Sequence, residues 1–279
     1  MYRLVSLLLL IPWVNPVYGQ AASGHGESLS PAQGQALVNG ALANEWSAAQ
    51  DASHPMRFQL HKTSPRLTTT KEILETRDGE VARLVAINDK PLSPAAEANE
   101  EARLNALLGD PGKQRRRKQS EDDDAGRVLN VLRALPSAFL YQYAGSGEAP
   151  TGKVEKFTFR PNPKFEPPDL ETEVLPAMTG AIWIDPAHVR VVRLEAHVQQ
   201  DVNFGWGILG RLYKGGWIVI EQADVGGGQW RTVRFQMQMS GRVVIKNRVF
   251  DTTETQTNYA PLPAGMSYQK AVETLLAGR

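Results

Sequence analysis

The sequence has no cysteine in 279 residues. That absence removes thiolate catalysis, iron–sulfur ligation and zinc ribbons, together with the cleavage-site cysteine that a bacterial lipoprotein needs. Histidine is scarce, and none of His25, His54, His61, His188 and His197 has the spacing of a metal motif such as H-E-x-x-H. His188 near Asp185 and His197 near Glu195 read as polar strand positions. There is no G-x-S-x-G elbow, no S-x-x-K and no Walker loop, and the paired carboxylates Glu171 and Glu173 fall in a polar connecting segment. Neither charge is in excess: 31 basic and 30 acidic side chains give a net charge of +1, so no overall field recruits nucleic acid or an anionic membrane. These absences point to a non-enzymatic chain with no cofactor, no metal and no nucleic-acid partner.

What is present begins with an address. Met1 to Arg3 form a short basic segment, Leu4 to Val14 an apolar one, and small residues follow at Gly19, Ala21 and Ala22. The apolar stretch is shorter than the ~18 residues of a membrane span and fits a secretory signal peptide over 1–21. The remaining 22–279 then read as a single β-rich domain, soluble in a periplasm or outside the cell. Hydrophobic residues at 42% and charged residues at 22% are enough for a full core.

Ser30, Pro31 and Gln33 predict a capped helix with Leu37, Val38, Leu42 and Trp46 as its apolar stripe. Strands are expected at 56–63, 67–76 and 80–88, with a hairpin at Asp78-Gly79 where both turn residues take positive φ. A helical, charged insertion follows at about 93–136. Ser93 and Pro94 start its first helix, which Gly109 ends. The block from Lys113 to Asp124 reads as a solvated loop, with Arg115, Arg116, Arg117 and Lys118 cancelled by Glu121, Asp122, Asp123 and Asp124 within a Debye length of ~8–10 Å. A second short helix is expected from Asp124 to Pro136.

Strands resume with Phe139, Tyr141 and Tyr143, a turn over Gly145 to Gly147, and 154–159. Further strands are predicted at 179–184, 189–199, 217–223 and 229–239, then, after a Ser240-Gly241 turn, at 242–250 and 252–259. A closing helix covers 267–276. The total is about ten strands. Gly205, Gly207 and Gly210 spell G-x-G-x-x-G, but Gly215 and Gly216 follow at once and a strand starts at Trp217, so no crossover helix fits and the dinucleotide reading fails.

Phe235, Met237 and Met239 alternate with Arg234, Gln236 and Gln238, the pattern of a curved or closed antiparallel sheet with one apolar face. Trp183, Val192, Leu194 and Trp217 join these three as candidates for an apolar cavity lining, where methionine adapts to irregular ligands. The same residues equally make a filled core. Phe204, Trp206, Ile208, Leu209, Leu212 and Tyr213 form a glycine-rich apolar loop suited to a lid or rim, or to a plug over one end of the core.

The strings Met178 to Asp185 (MTGAIWID), Val192 to Glu195, Glu221-Gln222 and Gly228-Gln229-Trp230 resemble exported proteins of the outer-membrane lipoprotein-sorting type, the superfamily of LolA, LolB and the N-terminal part of RseB. The resemblance spans about Pro31 to Tyr259. It implies a mainly β fold with α, a curved antiparallel half-barrel with helices packed over its concave face, and a periplasmic carrier or sensor that receives acyl chains of a lipid or lipoprotein. The 93–136 insertion has no place in that pattern, and no single ligand-binding residue carries over. Two readings stay open: a soluble carrier of apolar cargo with transient membrane contact, or an envelope protein with a filled core that binds a protein partner through a sheet edge or the 204–213 loop.

Overall fold

The computed structural model of the chain describes residues 29–204, 210–243 and 246–278. The signal segment 1–21 and the central part of the glycine-rich loop lie outside the described residues.

Thirteen strands form one open, curved, antiparallel sheet. In chain order they are β1 (Met56–Thr63), β2 (Thr68–Leu74), β3 (Val81–Ile87), β4 (Lys90–Pro91), β5 (Phe139–Ala149), β6 (Gly152–Pro161), β7 (Met178–Asp185), β8 (Arg190–Val198), β9 (Val202–Phe204), β10 (Gly210–Leu212), β11 (Trp217–Asp224), β12 (Trp230–Val243) and β13 (Lys246–Pro261). The spatial order is β4-β3-β2-β1-β13-β12-β11-β8-β7-β6-β5, with the β9–β10 hairpin attached to β12. The helices are α1 (Pro31–Ala48), α2 (Pro94–Leu108), α3 (Pro111–Ala138) and α4 (Tyr268–Ala277).

Helix α1 starts as its sequence predicts. Ser30 Oγ accepts the Gln33 N–H at 3.3 Å and Gln33 Oε1 accepts the Ser30 N–H at 2.9 Å, so two orphan donors are satisfied reciprocally. Its buried stripe is Gly34, Val38, Ala41, Leu42 and Glu45, one step around the helix from the expected one. With the C-terminal half of α3, α1 covers the concave face over β5, β7 and β8, and these elements share the main core, which includes Phe157, Ile182, Ile184 and Val198. Helices α2 and α4 bury Leu104, Leu107, Val272 and Leu275 against Leu74 and Val81. Those two strand residues alternate with Ile73 and Ala82, which pack with Phe58 in a separate cluster on the opposite face.

Both sheet edges lie at hairpins, β4–β3 at one end and β6–β5 at the other. Helix α2 blunts the first. Glu100 accepts the Leu84 N–H at 2.8 Å, and Arg103 donates to the Ala82 carbonyl at 2.5 Å, so two edge groups of β3 are satisfied by side chains instead of by another strand.

Several local expectations are corrected. The charged block at 113–124 is helical, the front half of α3. Asp110 caps it through the Lys113 N–H at 2.8 Å, and helical spacing pairs Arg117 with Glu121 at 2.9 Å and Lys118 with Asp122 at 2.6 Å. The helix also runs through Pro136 to Ala138. Proline there forfeits one hydrogen bond, while Ala134, Leu135 and Ala138 stay buried in the core. Gly145 to Gly147 form a bulge inside β5, not a turn. The bulge turns Tyr143 and Ser146 toward one carboxylate, Glu155, each at 2.8 Å. Ser240-Gly241 lies within β12, because a Cβ on Gly241 would sit 2.5 Å from the Arg211 carbonyl oxygen where β10 crosses. At Asp78-Gly79 only the glycine has positive φ, +94°; the paired positive φ expected there occurs at Asn88 and Asp89, 50° and 60°, between β3 and β4.

Candidate functional site: an apolar groove beside the core

The strand register shows which apolar side chains share a face. Ile182 lies opposite Leu194, and Leu194 opposite Ile220. Ile220 lies opposite Phe235 and Ile218 opposite Met237, while Met239 is paired with Phe250 of β13. These residues belong to the concave face, and four of the seven predicted lining residues, Leu194, Phe235, Met237 and Met239, are among them.

The structure does not bring the other three to that face. Trp183 lies opposite Arg193, and Trp217 opposite His197 and Gln238, which puts both on the convex side by the two-residue period of a strand. Trp183 is held between the Lys156 ammonium, 4.7 Å from the ring centre, and the Arg193 guanidinium at 5.6 Å. Trp217 Nε1 donates to Gln238 at 3.1 Å. Val192 packs with Val154 and Trp230, because a bulge between Trp183 and Ile184 moves Val191, its neighbour, into the core. Apolar character alone carried no face assignment across separate strands.

The concave face is filled on one half and uncovered on the other. Over β5 to β8 it is the main core. Toward β11–β13, Ile218, Ile220, Phe235, Met237 and Met239 are half-buried and Phe250 is exposed. Between the halves, α1 and α3 leave a cavity of about 290 Å³. Leu42, Ala48 and Ala49 of α1, Val128, Leu132 and Leu135 of α3, and Val191, Leu194 and Ile220 of the sheet make its apolar wall. Val128 is 54% exposed and stands at the opening.

One end of the cavity is polar and rigid. Glu45, 8% exposed, accepts from Arg190 at 2.8 and 3.1 Å, from the Val191 N–H at 3.0 Å and from Gln222 at 3.0 Å. Both of its oxygens are therefore occupied, as a buried carboxylate requires. Arg190 in turn lies 5.6 Å over the Trp230 ring. Sequence reasoning missed this collar, although a signal exists: Glu45 continues the Val38, Ala41, Leu42 stripe at helical spacing, where a lone carboxylate needs a partner.

Of the rim candidates, Phe204 and Leu212 pack against the main core, and Tyr213 donates to Asn247 at 3.4 Å. Trp206, Ile208 and Leu209 lie outside the described residues. The strands flanking this loop, β9 and β10, pair as a hairpin, so the glycine motif does not open a helix.

Among the described residues no group of three or more His, Asp or Glu side chains is placed to hold a metal ion, and no helix is long and apolar enough to cross a membrane. His188 bonds Asp185 at 2.8 Å, while Asp185 also accepts the Ala187 and His188 N–H groups. Burial disfavours that carboxylate, but the three hydrogen bonds outweigh it and hold the group below its ordinary range. The pair organises the β7–β8 turn.

No protein family matches the chain, and no curated protein matches it. Two solved structures are similar. One, described as a domain of an outer membrane lipoprotein-sorting protein from Vibrio parahaemolyticus, has 10% identity over 84% of this chain and 96% of that chain, with a TM-score of 0.31. The other, a DUF1329 family protein from Desulfovibrio piger, has 9% identity over 84% of this chain and 94% of that chain, with a TM-score of 0.33. At these values neither likeness bears on function.

Proposed function

We propose that the protein is an exported, non-enzymatic binding protein of the lipoprotein-sorting kind, which holds an acyl chain of a lipid or lipoprotein along the concave face of its sheet. One observation carries this reading: the apolar cavity beneath α1 and α3 shares Ile220 with a row of half-buried side chains, Phe235 directly opposite it and Met237 next along β12. A filled core ends in polar residues at its margin; this one continues into uncovered apolar surface.

Magnitudes assign different parts of a ligand to different parts of the site. Each buried methylene contributes ~0.8 kcal/mol, so five of them in the cavity give ~4 kcal/mol. That corresponds to a Kd near ~1 mM, too weak for a carrier. About five more methylenes along Ile218, Phe235 and Met237 bring the total to ~8 kcal/mol and a Kd near ~1 µM. The open half is therefore part of the site, and the Glu45–Arg190 collar closes its inner end.

The test is native mass spectrometry of protein purified from the cell envelope, before and after organic extraction, with titration of a fluorescent fatty acid into the extracted protein. A bound lipid that extraction removes, and micromolar uptake of the probe, are expected. Neither bound lipid nor uptake would sink the proposal and leave protein–protein contact as the function.

A further inference from the structure

A second cavity, of about 450 Å³, lies at the front of α3, where it meets the β2–β3 turn and the start of α4. Arg77, Arg115 and Lys118 contribute to its wall with Gln114, Asp78 and Tyr268. It is distinct from the apolar cavity: Arg115 and Val128 are thirteen residues apart on one helix, about 20 Å at 1.5 Å per residue.

Read as a loop, the basic block is neutralised by the acids that follow it. Folded as a helix it is not, because only residues three or four apart face each other. Glu121 pairs with Arg117 and Asp122 with Lys118, whereas Gln119 stands four residues after Arg115 and Ser120 four after Arg116. Lys113, Arg115 and Arg116 consequently make no ion pair among the described residues. They also occupy the helix's N-terminal end, where the backbone dipole favours anions and disfavours cations. The first turn of α3 has no acidic residue. Of the wall's acids, Asp78 is engaged: its carboxylate accepts the Tyr268 N–H at 3.1 Å.

An independent observation comes from Gln114. Only 1% of it is exposed, and its Nε2 donates to the Asp78 carbonyl at 2.8 Å. Its Oε1 has no hydrogen-bond partner among the described residues. A buried acceptor left without a donor is costly, and this one belongs to the wall of a cation-lined cavity.

We infer that this cavity binds a phosphate group that carries a hydrogen-bond donor: hydrogen phosphate, a phosphate monoester, or a lipid headgroup with a hydroxyl or ammonium. Arg77, Arg115 and Lys118 take the phosphate oxygens, and Gln114 Oε1 accepts from the donor. Lys118 has three N–H donors and keeps two of them beside its contact with Asp122.

Calorimetric titration of the extracted protein with inorganic phosphate and with sulfate tests this, since sulfate offers the same charge at neutral pH without a proton to donate. Phosphate is expected to bind about tenfold more tightly than sulfate, the worth of one hydrogen bond whose loss leaves a buried acceptor unpaired. Binding should weaken steeply in about 0.5 M salt. The Arg77→Gln/Arg115→Gln double variant should lose at least about tenfold in phosphate affinity, while Arg116→Gln, outside the wall, stays within about threefold. Absence of phosphate binding at low salt, equal affinity for sulfate, or wild-type affinity in the double variant overturns the inference. Sedimentation with vesicles of phosphatidylglycerol, against phosphatidylcholine alone, then identifies the source. Association reversed by phosphate supports the site as a headgroup site, and phosphate binding without association supports it as a site for a small soluble phosphate.

Discussion

Glu80, at the turn between β2 and β3, shows how a single residue here answers to partners far away in sequence. Its N–H donates to Glu121 of α3 at 2.9 Å, and its own carboxyl is pushed up to about 7, first by burial and then by the charges of Glu121 and Glu75. The ordinary value is 4.5, so the folded state holds this proton more tightly than the unfolded chain does. The contribution to stability is complete below about pH 4.5, declines as pH rises through about 7, and is absent above that. Glu80→Gln should therefore leave stability unchanged near pH 5 and raise it by about 2 kcal/mol near pH 8. Urea midpoints at the two pH values check this, and an equal shift at both is the contrary result. The neighbouring Asp78-Gly79 turn was legible from two residues. The burial of Glu80 was not, because Glu121 is 41 positions away and belongs to a segment whose helical state the charge run conceals.

At the scale of elements, capping boxes and turn glycines report directly on structure because their partners are local. Ser30 with Gln33, Ser93 with Pro94, and Ser267 start α1, α2 and α4 where expected. Gly226, Gly227 and Gly228 all take positive φ between β11 and β12. Elements whose state depends on tertiary contacts were misread, α3 most of all: its length comes from Gln114 and Glu121 docking at one end and Leu135 and Ala138 at the other. Gly180 illustrates the same dependence within a strand. A Cβ there would lie 1.9 Å from the Glu195 carbonyl oxygen and 2.6 Å from the Phe159 ring. Gly180→Ala should separate β7 from β8 at the middle of the core and cost about 3 kcal/mol, as overpacking against backbone does. A thermal midpoint within a degree or two of wild type is the outcome that contradicts this.

For the whole molecule, the decisive property is that one sheet face serves as core on one half and as open surface on the other. The two halves should respond differently to charge. Ile182, fully buried, is in the filled half, and Ile182→Lys should cost about 5 kcal/mol or prevent folding, since it buries an unpaired ammonium. Met237, half-buried in the open half, should tolerate Met237→Lys within about 1 kcal/mol, because a long side chain can carry its charge out to water. The same substitution should weaken uptake of the fluorescent fatty acid about tenfold. Denaturation curves and uptake measured on one preparation separate these effects. Loss of stability without loss of uptake in Met237→Lys contradicts the assignment of the open half to the site. By itself the sequence determined the antiparallel strands, the helix starts and the apolar parity of Phe235, Met237 and Met239, since each follows from residues within a few positions of one another. Only the tertiary structure decided that β13 pairs with β1, that Trp183 and Trp217 face away from the cavity, and that α1 and α3 cover half a sheet. Those outcomes depend on register and on packing between segments as much as 200 residues apart, and a strand's alternation marks two faces without saying which will be covered.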